Sequence, residues 1–178
     1  MAPTTFMTMA QTLLAVLALG LVMLLALNTN RDRVSRISKT VAGTLEVEAR
    51  GVAAEALDHI GGFLFDGNTG ATTTDGFTSE VDFGPPGRAF DDPSITDIDD
   101  FHGAAVHVIE RAVSNPNTGE QVPLGFAITV EVQYVTVSTA GVSPSGGVAT
   151  YDKQVEVTVS NERMTSPISL SLVFSFSE

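Results

Sequence analysis

The chain contains no cysteine, only two lysines (Lys39 and Lys153), and no charged residue before Arg31. Without cysteine there can be no disulfide, thiolate metal site or thiol nucleophile, so the fold must rest on its apolar core. Other chemistry is missing too. No G-x-S-x-G elbow is present, and the glycine-bearing stretch "GTLEVEARG" lacks the lysine of a phosphate-binding loop. His59, His102 and His107 have no metal-ligand spacing and read as surface or core histidines. Asp91, Asp92, Asp97, Asp99 and Asp100 crowd one loop but lack the twelve-residue calcium pattern, so a solvated acidic loop is the expectation. The residues thus argue against an enzyme and imply no cofactor, metal or small-molecule substrate.

What is present is unevenly spread. Residues 1–60 hold five basic and five acidic side chains, whereas residues 61–178 hold four and sixteen, the whole of the net charge of −12. A surface this acidic repels phosphate backbones, so no nucleic-acid partner is expected. Acid excess with few lysines suits a protein bathed in high salt, where repulsion is screened over a few ångströms; an ordinary acidic secreted protein is the alternative.

From Phe6 to Leu27 the chain is predominantly apolar, long enough as a helix to span a bilayer core. It lacks the basic amino end and cleavage pattern of a secretory signal. The basic residues Arg31, Arg33, Arg36 and Lys39 follow it, which by the positive-inside rule alone would leave the acidic half in the cytoplasm. Beyond the apolar run, Val34, Ile37, Val41, Leu45, Val52, Ala56 and Ile60 keep a spacing near 3.6. One helix is therefore expected from about residue 8 to 60, ended by Gly61-Gly62 and roughly 75–80 Å long. Its first half is apolar all round and must find lipid or other protein; its second half can dock on a sheet.

Residues 66–103 are rich in Gly, Thr, Asp and Pro and read as a long structured loop with at most one short strand. After Ala104 the period changes to two. "AAVHVIERAV", "FAITVEVQYVTV", "KQVEVTVSN" and "ISLSLVFSFS" alternate, separated by the turn signals "NPNTGEQVP", "AGVSPSGG" and "ERMTSP". Four antiparallel strands with one oily face follow, Val155, Val157 and Val159 lying opposite Gln154, Glu156 and Thr158. The fold class expected is α+β: a long N-terminal helix, apolar then amphipathic, packed on a C-terminal antiparallel sheet. Its segments are an apolar helix over 1–30, an amphipathic continuation over 31–62, and a loop-rich acidic β domain over 63–178.

This order of elements resembles the type IV pilin and pseudopilin family. "LLALNTNRDRVSRI" and "VEARGVAAEALDHI" are similar to the helix of minor pilins, where an apolar run yields to a polar turn and then an Ala/Glu-rich stretch. "RAFDDPSITDIDDFHG" and the closing "KQVEVTVSNERMTSPISLSLVFSFS" resemble segments of minor pilins of the mannose-sensitive haemagglutinin type. The resemblance implies a pilin-like fold whose subunits are held in the cytoplasmic membrane and then extracted into a helical polymer, which sets the charge rule aside. Pilins usually carry a carboxylate at the fifth mature position. Here Ala10 or Gln11 would stand there, leaving Thr4, Thr5, Thr8 and Gln11 to receive the terminal amine. The apolar helix is expected to be retained.

The function expected is a structural subunit of an extracellular type IV pilus-like filament, its partners copies of itself. The filament core would pack through Leu13, Leu14, Leu17, Gly20, Leu21, Leu24 and Leu25, with Ala15 and Ala18 also allowing close approach. The alternatives are a single-pass membrane-anchored binding domain on the cell surface or envelope and, less favoured, a secreted or envelope enzyme.

Overall fold

The computed structural model describes residues 4–68, 73–84, 87–114 and 118–176, with side chains from residue 11 onward. One helix, α1, runs Thr4–Gly61. No proline falls between Pro3 and Pro85 to interrupt it. It closes as expected at the glycine pair, where the N–H of Gly62 bonds the carbonyl of His59 and that of Phe63 the carbonyl of Ile60, both at 3.1 Å. The chain divides into two compact units, Met1–Val41 and Ala42–Glu178.

In the first unit, every side chain over residues 11–40 is exposed. The second unit is an α+β domain. Its portion of α1 buries Leu45, Ala49, Val52, Ala53, Ala56, Leu57 and Ile60, an i, i+3, i+4 stripe, with small residues at 49, 53 and 56 that let a sheet come close. Five strands form one antiparallel sheet: β1 (His107–Ser114), β2 (Gln121–Ser138), β3 (Gly141–Pro144), β4 (Asp152–Ser160) and β5 (Ile168–Ser175). Their order is β1-β2-β4-β5, with β3 paired to the far end of β2. Four of these are the four alternating runs of the sequence. The fifth, β3, lies within the turn signal "AGVSPSGG": β2 runs on to Ser138, so the returning chain pairs Val137 with Val142 and Val135 with Pro144. Pro123 sits within β2 opposite Ala112 of β1, in a stretch where β4 does not reach, since β2–β4 pairing begins at Ala127.

The register stacks Ile128 on Val159, Val130 on Val157 and Val132 on Val155. All six are buried, as are Phe126 and Tyr134 in the same phase of β2. The helix meets this inner face. At its end, Gly61 lies so near the Phe174 ring of β5 that an added Cβ would stand 3.0 Å from Cε1. Arg111 of β1 pairs with Glu55 on the helix.

The loop over 66–103 holds three single 3₁₀ turns, at Thr74–Gly76, Glu80–Asp82 and Asp99–Phe101, and no strand among its described residues beyond a bridge of Asp97 to Leu64. It is a second wall of the core. Phe77, Phe83, Phe90, Ile95, Ile98 and Phe101 are all buried. Backbone bonds tie it down, from Ile98 N–H to Leu64 (2.9 Å) and from Gly103 N–H to Val130 in β2 (3.2 Å). Gly84 shows how closely the wall is built: a Cβ there would meet the carbonyl oxygens of Asp100, His102 and Asp99 at 2.8, 2.9 and 3.0 Å. Because backbone cannot rotate aside as a side chain can, Gly84→Ala is expected to destabilise the domain by about 1–3 kcal/mol, measured by denaturant titration.

Candidate functional site

Two features of this chain carry functional potential, one in each unit. In the first, the helix is long and apolar enough to cross a membrane; its most apolar stretch has a mean hydropathy of 2.3, and none of it is buried. The six leucines named for packing are each 60–68% exposed, and Gly20 has no atom within 4 Å of an added Cβ. With Gly20 they share an arc of about 140° on the helix. Val16, Leu19, Val22, Met23 and Leu27 are equally bare on the remaining faces, so exposure does not single out that arc.

The second feature is internal to the acidic domain. Lys153, in β4, occupies the same inward phase as Val155, Val157 and Val159 and is wholly buried. Its Nζ donates to the Phe65 carbonyl at 2.7 Å, to Oδ2 of Asp99 at 2.8 Å and to Oδ2 of Asp66 at 3.4 Å. It stands 2.7 Å from Asp99 Oδ1 as well, in ionic contact, although that oxygen accepts no hydrogen bond. The rings of Phe65, Tyr134 and Phe83 surround the ammonium at 4.3, 4.9 and 5.3 Å. A lone cation here would be prohibitive to desolvate; carboxylates and ring faces together make it tolerable.

The carboxylates divide by environment. Burial pushes Asp99 up to about 7, and the charges of Asp97 and Asp66 add to this against the pull of Lys153. Asp66 is also burdened by burial, but the N–H groups of Asn68 and Thr78, then Lys153 and the Thr78 hydroxyl, outweigh it and hold the group below the ordinary carboxylate range. Asp97 is raised by burial, despite the N–H it receives from Asp100. Gly67 is what lets Asp97 fit, since a Cβ there would be 2.4 Å from Asp97 Oδ2. Tyr134 donates to the Thr78 carbonyl at 2.9 Å, and burial beside these acids raises its phenol.

The aspartate-rich loop is therefore not the uniformly solvated loop expected from composition. Asp97 and Asp99 turn inward, Asp100 pairs with Arg88, and Asp91 stays outside. The histidines lie against aromatic rings, His59 exposed and His102 and His107 half-buried. His107 stacks on Phe90, His59 meets Phe63 and Phe101 edge-on, and His102 Nδ1 accepts the Val132 N–H at 3.1 Å. Lys153, Asp66 and Tyr134 did not stand out in sequence. The available signal was phase: a lysine two residues before an inward-facing Val-x-Val-x-Val run, in a chain with only two lysines.

No protein-family model, curated protein or solved structure matches this chain.

Proposed function

We propose that the protein is a structural subunit of an extracellular type IV pilus-like filament, polymerising through its N-terminal helix with the acidic β domain outward. One observation carries the reading: a helix apolar on every face, with no side chain over residues 11–40 buried by its own chain, continuous with the helix that forms part of the domain's core. A bundle of such helices is its own apolar solvent, and a repeated head-to-tail contact that does not close makes a fibre. The cytoplasmic membrane would hold the subunit before assembly. Hydropathy also fits a permanent single-pass anchor displaying the acidic domain.

Removing residues 1–30 separates the two. The truncated chain is expected to be a soluble, acidic monomer that keeps its sheet, because the buried helix stripe begins only at Leu45. It should form no filaments by negative-stain microscopy, whereas the full chain should be recovered from the extracellular fraction as fibres. Filaments from the truncated chain would overturn the assembly role of the helix. A full-length chain found only in the membrane fraction would favour the anchor.

A further inference from the structure

We propose that Lys153 and Asp99 condense to an intramolecular isopeptide bond, an amide between Nζ of the lysine and Cγ of the aspartate, with Asp66 as the proton acceptor. The proposal is independent of the filament reading and concerns the acidic domain alone.

The geometry assembles each part of that reaction. Nζ lies 2.7 and 2.8 Å from the two oxygens of Asp99. A nitrogen touching both oxygens of a carboxyl group stands about 3 Å from its carbon, within near-attack range. Asp66 Oδ2 approaches the same nitrogen at 3.4 Å. The two carboxyl groups are pushed in opposite directions: Asp99 toward its neutral, electrophilic form, and Asp66 toward the carboxylate that can take a proton. Asp99 Oδ1, buried without a hydrogen-bond partner, fits a carboxyl group that does not remain an ion. The surrounding rings of Phe65, Phe83 and Tyr134 exclude the water that would otherwise solvate the ammonium.

The step balances without any co-reactant. Asp66 takes one proton from the Lys153 ammonium. The freed amine pair attacks Cγ of protonated Asp99, forming the C–N bond. The Asp99 C–OH bond then breaks, its oxygen leaving as water with one further hydrogen from the nitrogen. One hydrogen remains on the amide nitrogen and one on Asp66, and the site is neutral before and after. The reaction removes a wholly buried ammonium and gives a chain that cannot form disulfides a covalent tie between its aspartate-rich loop and the middle of its sheet.

The test is the mass of the intact, denatured full-length chain beside its Lys153→Arg counterpart. Wild type is expected to be lighter than its sequence by one water, and Lys153→Arg to have its full mass. Asp-Gly pairs such as Asp66-Gly67 can also shed water as imides, so the peptide map decides. Trypsin should leave Lys153 uncut and yield residues 89–111 joined to residues 112–163 as one branched peptide. Full-mass wild-type chain, or cleavage after Lys153 with residues 89–111 released alone, would overturn the proposal, whether or not the variants fold. Asp66→Asn keeps an oxygen for one of the two loop N–H groups but cannot accept the proton, so its peptide map should show cleavage after Lys153 and residues 89–111 released alone. A branched peptide from Asp66→Asn would remove Asp66 from the reaction.

Discussion

Leu21→Lys is expected to abolish assembly of the proposed filament while leaving the acidic domain folded. Residue 21 lies mid-way along the apolar stretch and belongs to the unit Met1–Val41, not to the unit that contains the sheet. In a bilayer, one lysine at a helix centre costs about 2.5–3.5 kcal/mol on insertion scales, and the surrounding leucines can absorb it. In a helix bundle the same ammonium recurs at every subunit with no headgroup region to reach, so the cost multiplies along the fibre. Filament yield should therefore fall to nothing, while membrane insertion of the same chain, assayed by alkaline extraction, falls only partly. Normal fibres from this variant would exclude tight packing around residue 21.

Asp66→Ala is expected to leave the acidic domain less stable than Asp66→Asn by about 1–3 kcal/mol; neither variant can make the Lys153–Asp99 bond, so the difference reads the hydrogen bonds alone. The carboxylate accepts the N–H of Asn68 at 2.9 Å, the N–H of Thr78 at 2.8 Å and the Thr78 hydroxyl at 3.1 Å, besides facing Lys153. Alanine strands all of these donors; asparagine keeps one acceptor oxygen, enough for one of the two N–H groups, which reach different oxygens of the carboxylate. Urea titration of both variants, read by circular dichroism, measures the difference. Acid supplies a second reading. Because the folded state depresses Asp66, its contribution is complete above the ordinary aspartate value near 3.8 and fades as pH falls through the lower folded value. Wild type should thus lose more stability than Asp66→Asn on going from pH 5 toward strong acid. Equal losses would assign the acid sensitivity to other carboxylates.

The regular elements were legible because each repeats a local rule. The helix follows from an unbroken apolar and then amphipathic run, and β4 from the alternation of Val155, Val157 and Val159. The exception, β3, reflects the length of β2, which no turn signal states. The loop from Asp66 to Gly103 was legible only as a loop. Phe77, Phe83, Phe90 and Phe101 have no period among them, and their burial is decided by partners distant in sequence. The buried cation was hidden for the same reason. Residue type argues that aspartates and lysines face water, whereas phase places Lys153 inside, and only the fold shows that Asp66 and Asp99 arrive to meet it across 87 and 54 residues.

The enclosure of Lys153 also sets what light can report about this chain. There is no tryptophan, and the two tyrosines are Tyr134 and Tyr151. Tyr134 is one wall of the ammonium's cage, its hydroxyl bonded to Thr78, and Tyr151 meets the ring of Phe77 edge-on at 5.8 Å. Both chromophores therefore touch the loop, and neither lies in the apolar helix. The tyrosine bands of the circular dichroism and the tyrosine emission of the whole protein are consequently a selective gauge of whether the loop is seated on the sheet, blind to whatever the first forty residues, whose one aromatic ring is that of Phe6, are doing.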